Sequence, residues 1–295
     1  MNASSKTLQP PPERPGRPAP SGLAERRRMM AEGLAAGGFA GEPAPREDRL
    51  GGVRVLRFAP PGERRGVVLH FHGGGYRLGC PEISAAYATA LAARCGVEVV
   101  CPAYRLAPEH PFPAGLVDGH AAWVALCATE PGPRILSGDS AGGGLAAAVA
   151  ALCAAGGPQA DGLVLLSAWL DVSVTSPAYR ANAATDPLFS EASAAEAAEL
   201  YLQGWPAQDP LASPLLAAGA GFPPALVSIG EGEVLADDGR KFAAALQAAG
   251  VPARLQAVAG MEHVAVTRGM HLTGAAETFA AVAGFIDEVT GAAAR

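Results

Sequence analysis

The chain has 295 residues, 49 % of them apolar and 17 % charged, with a net charge of −6 and a pI near 5.5. That composition describes a globular protein with ample material for a large buried sheet, and it excludes a fibrous or disordered chain. No basic cluster outlasts Arg26-Arg27-Arg28, so there is no electrostatic footprint for nucleic acid, and no apolar run approaches the roughly 18 residues of a membrane span.

Residues 1–22 contain Pro10-Pro11-Pro12, Pro15, Pro18 and Pro20 with almost no large apolar residues, the composition of a disordered tail. Residues 22–37 then show helical spacing of Leu23, Met29, Met30 and Leu34 on a charged background. A helix that precedes the first strand can pack on an edge of the fold or cover a site, and both roles are open. The stretch 26–40 starts too late for a signal peptide, carries Glu32 and is interrupted by Gly33, Gly37 and Gly38.

From Gly52 onward the pattern alternates. Strand-like runs are expected at 53–58, 67–71, 97–101, 134–136, 163–167, 225–229 and 254–258, with helical stretches at 83–95, 114–128, 145–155, 236–249 and 274–289. Near-continuous apolar strands separated by helices predict a mostly parallel sheet covered on both faces, hence an α/β fold. One interval, 169–222, has no convincing strand and only one helical stretch, 191–203. An insertion there hangs over the carboxyl ends of the sheet, where sites in open α/β folds lie. The expected organisation is a tail over 1–22, an N-terminal cap helix region over 23–48, and an α/β catalytic domain over 49–295 with a cap and pocket insertion at 170–222.

Five cysteines, Cys80, Cys95, Cys101, Cys127 and Cys153, form no C-x-x-C pair, and all but Cys80 fall in apolar runs. They read as reduced, buried packing residues of a cytoplasmic protein.

The chemistry centres on Gly138-Asp139-Ser140-Ala141-Gly142, entered through the apolar run 134–137 and left through the small-residue helical stretch after Gly143. Strand, tight turn and helix around G-x-S-x-G describe a nucleophile elbow, in which neighbours two positions from the serine must be small. In a chain with 37 glycines the pentapeptide alone has roughly 0.2 chance occurrences. It is accompanied by His72-Gly73-Gly74-Gly75 directly after a strand-like run, a tetrapeptide expected only about 0.01 times by chance.

A serine hydroxyl needs a base to take its proton and a third group to orient that base. Among six histidines, His70 and His72 belong to the glycine loop, His110 lies in a Pro-rich turn, His120 in a helical stretch, and His271 just before the last helix. His263 follows the final strand-like run in a loop opened by Gly260, and the order Ser, acid, His suits it as the base. The acid belongs on the loop after the preceding strand, where Glu231, Glu233, Asp237 and Asp238 compete. Most of these are helix-start charges by the macrodipole argument, and the spacing alone does not choose between them.

The glycine loop with Tyr76, the run Tyr104-Arg105-Leu106-Ala107-Pro108-Glu109-His110-Pro111-Phe112-Pro113-Ala114, the serine pentapeptide and Gly260-Met261-Glu262-His263 together resemble the hormone-sensitive-lipase-like branch of the α/β-hydrolases, the bacterial family IV esterases. The resemblance spans about residues 67–263. It implies the α/β-hydrolase fold with a small helical cap, and an acid motif that Glu233-Val234-Leu235-Ala236-Asp237 matches, with Glu where many members carry Asp. It also implies an oxyanion hole of backbone N–H groups from Gly73, Gly74, Gly75 and Ala141, and a bracing role for residues 104–113. Ala168 stands where relatives often have Pro.

The expected function is therefore a serine carboxylesterase acting on short- to medium-chain esters through an acyl-enzyme, with Ser140, His263 and Glu233 as triad and neither metal nor organic cofactor. The partner is a small ester or lactone, and a homodimer is compatible with the sequence. A lactone hydrolase would use the same acyl transfer. The plant gibberellin receptor shows that the fold also serves binding without turnover, but the presence of all three triad members argues against that reading here. An amide-directed hydrolase or a transferase is excluded by no residue.

Overall fold

The computed structural model describes residues 8–37 and 44–291. Eight strands form one sheet: β1 (Arg46–Leu50), β2 (Val53–Phe58), β3 (Val67–Phe71), β4 (Glu98–Pro102), β5 (Arg134–Asp139), β6 (Gly162–Leu166), β7 (Ala225–Gly230) and β8 (Ala253–Val258). Their order is β1-β2-β4-β3-β5-β6-β7-β8, antiparallel at β1/β2 and β2/β4 and parallel elsewhere.

The central strands are buried along their length, half-buried Arg134 at the start of β5 excepted, because helices cover both faces. Val67, Leu69, Phe71, Leu136, Leu163 and Leu165 pack toward α3 (Ala114–Thr129), α4 (Ala141–Ala154) and α7 (Ala236–Ala248). The alternate residues Val68, Ile135, Val164 and Leu166 pack toward α2 (Ala85–Cys95) and α9 (Ala275–Val289). This period of two along each strand is what allows an unbroken apolar run to serve two cores. Helix α4 is buried on every side from Ala141 to Cys153. Its glycines permit the approach: a Cβ on Gly143 would stand 2.5 Å from the Ala168 Cβ, and one on Gly144 2.3 Å from the Trp169 carbonyl oxygen.

Three expectations need correction. Arg46-Glu47-Asp48-Arg49-Leu50 forms the edge strand β1, so the sheet starts inside the region expected as cap. Its charges hide the strand signal, and they are used in pairing: Asp48 meets Arg57 at 2.9 Å, and Arg57 also reaches Glu98 at 2.7 Å and Glu130 at 3.0 Å beneath the sheet. Second, residues 8–20 carry no regular secondary structure yet run as an anchored strap instead of a disordered tail. Arg14 donates to the Leu202 carbonyl at 2.7 Å and lies over the Trp205 ring, Glu13 pairs with Arg105 at 2.6 Å, and Arg17 N–H reaches Pro108 O at 3.1 Å. A proline-rich segment is already extended before it docks, so few anchors suffice to order it. The first seven residues of the expected tail and residues 38–43 of the expected cap region lie outside the described residues. Third, of the cysteines read as buried, Cys127 is only half-buried, as is Cys80.

Two segments rise over the carboxyl ends of the strands. The first is α1 (Ser21–Ala35), anchored by buried Leu23 and by Arg27, which pairs with Glu109 at 2.7 Å. The second is the insertion between β6 and β7, which contains α5 (Ala178–Ala181) and α6 (Glu191–Leu202). Arg26 on α1 meets Glu196 on α6 at 3.0 Å and joins the two.

Candidate active site

Strand β5 delivers Ser140 onto a corner with φ 51° and ψ −123°, a backbone conformation that few non-glycine residues adopt. The corner closes only with glycine on either side. A Cβ at Gly138 would sit 2.2 Å from the Gly142 carbonyl oxygen, and one at Gly142 2.0 Å from that of Phe71. The bent backbone is held by Ser140 N–H to Leu166 O at 2.9 Å and by Trp169 N–H to Ser140 O at 2.9 Å.

The loops after β7 and β8 bring Glu233 and His263 to the same edge. His263 Nε2 lies 3.0 Å from Ser140 Oγ, and its Nδ1 lies 2.8 Å from Glu233 Oε2. A carboxylate can only accept, so Nδ1 carries the proton and Nε2 is left to accept from the serine hydroxyl. Glu233 is 1 % exposed, and its other oxygen, Oε1, accepts Gly230 N–H at 2.5 Å and the Ser167 hydroxyl at 2.8 Å. Burial lowers the His263 pKa, but the hydrogen bond and charge of Glu233, with smaller contributions from Asp186 and Asp139, outweigh it and raise the pKa above the ordinary histidine value.

The competing acids go elsewhere. Glu231 is exposed, Asp237 accepts from Ser176 Oγ at 3.0 Å, and Asp238 accepts Leu170 and Asp171 N–H, both at 3.0 Å. Of the remaining histidines, His70 shares a hydrogen bond of 3.0 Å with Ser137, while His110 and His271 are exposed and His120 is half-buried.

The glycine loop faces the serine. Gly73 N–H is taken by Asp139 Oδ1 at 3.1 Å, which withdraws it from the four expected oxyanion donors. The N–H groups of Gly74, Gly75 and Ala141 have no acceptor among the described residues. Gly74 has φ +121°, and a Cβ there would lie 2.2 Å from Leu78 O, so the turn admits only glycine. His72 secures the loop from below, donating Nδ1–H to Gly73 O at 2.7 Å while Tyr104 stacks on its ring and donates to His72 O at 2.7 Å. Burial pushes the His72 pKa down to about 4, so it remains a neutral brace.

These groups line a cleft of about 610 Å³. Its inner wall is the glycine loop, Ser140 and His263; Leu188 and Phe189 come from the insertion, and Arg26 and Met30 from α1. Helix α1 thus contributes Arg26 and Met30 to the lining of the cleft. Among the described residues, no group of three His, Cys, Asp or Glu side chains is placed to hold a metal ion, and no helix is long and apolar enough to cross a membrane.

Two contributors escape sequence reasoning. Ser167, at the end of β6 with φ 47°, accepts Val264 N–H at 3.1 Å while donating to Glu233. Asp139, inside the pentapeptide, seats the glycine loop through Gly73. The one available signal was their polarity at the carboxyl ends of otherwise apolar central strands.

A strained serine between strand and helix, backed by an imidazole and a carboxylate at the carboxyl edge of a mostly parallel sheet, defines an α/β-hydrolase. Residues 68–267 match the family described as alpha/beta hydrolase fold. An acetyl-hydrolase of Streptomyces hygroscopicus is 38 % identical over 201 residues, 67 % of each chain. The carboxylesterase NlhH of Mycobacterium tuberculosis is 36 % identical over 247 residues, 78 % of this chain and 76 % of the relative. Among solved structures, an esterase of the bacterial hormone-sensitive lipase family superposes with a TM-score of 0.86 at 34 % identity, covering 93 % of this chain and 94 % of the other. A hormone-sensitive lipase from a metagenome library gives 0.85 at 33 % identity, covering 93 % of both. The chain belongs to the hormone-sensitive-lipase-like branch of the α/β-hydrolases.

Proposed function

We propose that this carboxylic-ester hydrolase cleaves short- to medium-chain esters through an acyl-enzyme formed on Ser140. The observation that carries the reading is the continuous line of hydrogen bonds from Ser140 Oγ through His263 to Glu233. Ser140 Oγ attacks the ester carbonyl carbon as its proton passes to His263 Nε2, and Glu233 keeps the imidazole in the accepting tautomer and balances its charge. The carbonyl oxygen becomes an oxyanion facing the free N–H groups of Gly74, Gly75 and Ala141, each contributing about 3 kcal/mol in comparable sites. Collapse expels the alcohol, which takes the proton from His263. Water then attacks the acyl carbon by the same route and releases the acid.

A cleft bounded by Leu188, Phe189 and Met30 supports an acyl group of modest length. A lactone would open by the same steps, its alcohol remaining attached to the acyl product. The test is a series of 4-nitrophenyl esters of increasing acyl length beside a small lactone panel, run with wild type and Ser140→Ala. The variant is expected to fold and to lose turnover of every substrate that wild type accepts. More than a few per cent residual turnover, contamination excluded, would remove Ser140 from the mechanism.

A further inference from the structure

The loop that carries Glu233 is gripped by three side chains from one stretch of the insertion. Asn182 Nδ2 donates to Glu233 O at 2.7 Å and to Glu231 O at 3.2 Å, Thr185 Oγ1 donates to Gly232 O at 2.8 Å, and Asp186 Oδ2 accepts Val234 N–H at 3.0 Å. The other oxygen of Asp186 accepts Leu188 N–H at 3.1 Å and Phe189 N–H at 3.0 Å. Those two residues are the wall that the insertion lends to the cleft, and the Phe189 ring lies on the His263 imidazole at 5.7 Å with an interplanar angle of 10°. Asp186 itself is 7 % exposed. A buried carboxylate satisfied by three backbone N–H groups is a stiff junction, because releasing any one of them leaves charge or donor unpaired.

One side chain thus joins the substrate-facing wall to the backbone next to Glu233. We infer that Asp186 is a positioning residue that couples the seating of Leu188 and Phe189 to the geometry of the Glu233–His263 pair. When the wall is in place, Val234 is drawn toward Asp186, and the acid is held at its bonding distance from Nδ1. When the wall shifts, the same carboxylate carries the shift into the acid loop. Misplacement on the order of 1 Å at such a pair is enough to lower a rate about a hundredfold. A residue that merely stapled the insertion to the body would affect stability and substrate binding, and leave the chemical step of folded enzyme unchanged.

Asp186→Asn separates the two. The amide keeps the size of the carboxylate but offers one acceptor oxygen, so it serves Leu188 and Phe189 or Val234 and not both. For 4-nitrophenyl butyrate, normalised to sites titrated with an organophosphate, kcat is expected to fall about 10- to 100-fold while KM changes by less than about threefold. The acid limb of the kcat/KM profile is expected to move to lower pH. Three carboxylates face His263, those of Glu233, Asp186 and Asp139, and removing one charge makes the imidazolium easier to deprotonate. Asp186→Glu, which restores the charge, is expected to restore the pH midpoint while recovering only part of kcat.

Asn182→Ala tests the same grip at a half-buried position and is expected to lower kcat several-fold; should Asp186→Asn fail to fold, this variant decides. The inference rests on the proposed roles of Ser140, His263 and Glu233, and the two fail differently. An active Ser140→Ala overturns those roles, whereas an inactive Ser140→Ala beside a folded Asp186→Asn with wild-type kcat and pH midpoint overturns the coupling alone.

Discussion

The Ser167 hydroxyl donates to Glu233 Oε1 at 2.8 Å while its oxygen accepts the N–H of Val264, the residue that follows His263. One hydroxyl at the end of β6 therefore ties together the loops after β7 and β8. Ser167→Ala leaves a carboxylate oxygen short of one donor and a backbone N–H without its acceptor. We expect a loss of about 1–3 kcal/mol in urea unfolding and about a tenfold lower kcat per titrated site. A variant that loses stability with an unchanged kcat would reduce the bond to a structural one.

The proposed role of Glu233 as the acid is tested by amide substitutions. Glu233→Gln can no longer hold Nδ1 as a donor to a charged partner, and kcat is expected to fall by about three to four orders of magnitude in a folded protein. Glu231→Gln is expected to match wild type. Asp237, on the surface side of α7 with Ser176 Oγ at 3.0 Å and Arg240 at 3.9 Å, is expected to show a small structural defect when changed to Asn. An inactive, folded Asp237→Asn beside an active Glu233→Gln would reassign the acid by one helical turn.

In the proposed mechanism, rate and protonation are linked through His263. Only the neutral imidazole accepts the serine proton, and its pKa in the folded protein is raised above 6.5. The kcat/KM profile is therefore expected to rise with pH through one midpoint above 6.5, and Glu233→Gln is expected to move that midpoint down. The sign for stability is opposite. A raised histidine pKa favours the protonated fold, so this contribution is complete below the unfolded-state value and is lost as pH rises through the folded one. A rate flat between pH 5 and 8 would count against an imidazole base.

Asp238 gives a second, separable pH effect. Burial pushes its pKa up to about 7 although Leu170 and Asp171 N–H groups both donate to it. Its contribution to stability is full below the ordinary aspartate range and is lost as pH rises through about 7. Asp238→Asn keeps an acceptor for both N–H groups and cannot ionise. Its stability relative to wild type is expected to improve by a few kcal/mol between pH 4 and pH 8. A difference that does not change with pH would mean that Asp238 is ionised throughout.

The sheet from β2 to β8 was legible because its apolar runs are bounded by turns and helices, and the elbow because steric demand restricts its corner to small residues. Strand β1 was not legible, since five residues with four charges become a strand only when β2 offers an unpaired edge and Arg57 a partner for Asp48. The 8–20 strap was missed for a related reason: composition reports what a segment can bury by itself, and Arg14 finds its ring and carbonyl in the insertion, nearly 190 positions on. The meeting of Ser140 and His263, 3.0 Å apart, was legible from motif and chain order. Choosing Glu233 needed resemblance, because four acids lie within eight positions and only the turn after β7 decides which faces inward. The engagement of Gly73 by Asp139 depends on a distance between two loops, which no local pattern encodes.

Helix α4 bears on how this protein can vary. From Ala141 to Cys153 each side is occupied, by the sheet, by α3 or by the backbone leading into the insertion, and three positions of its first turn, 142–144, are glycines. Adding one methyl group there collides with a main chain that is itself pinned to the serine. Random mutagenesis should therefore return almost no tolerated changes in this helix, while α1 and the insertion outside the 182–189 junction, which meet the cleft through side chains, absorb diversity. Altered substrate preference, in the laboratory or by drift, has its room on the roof of the cleft and almost none on its floor.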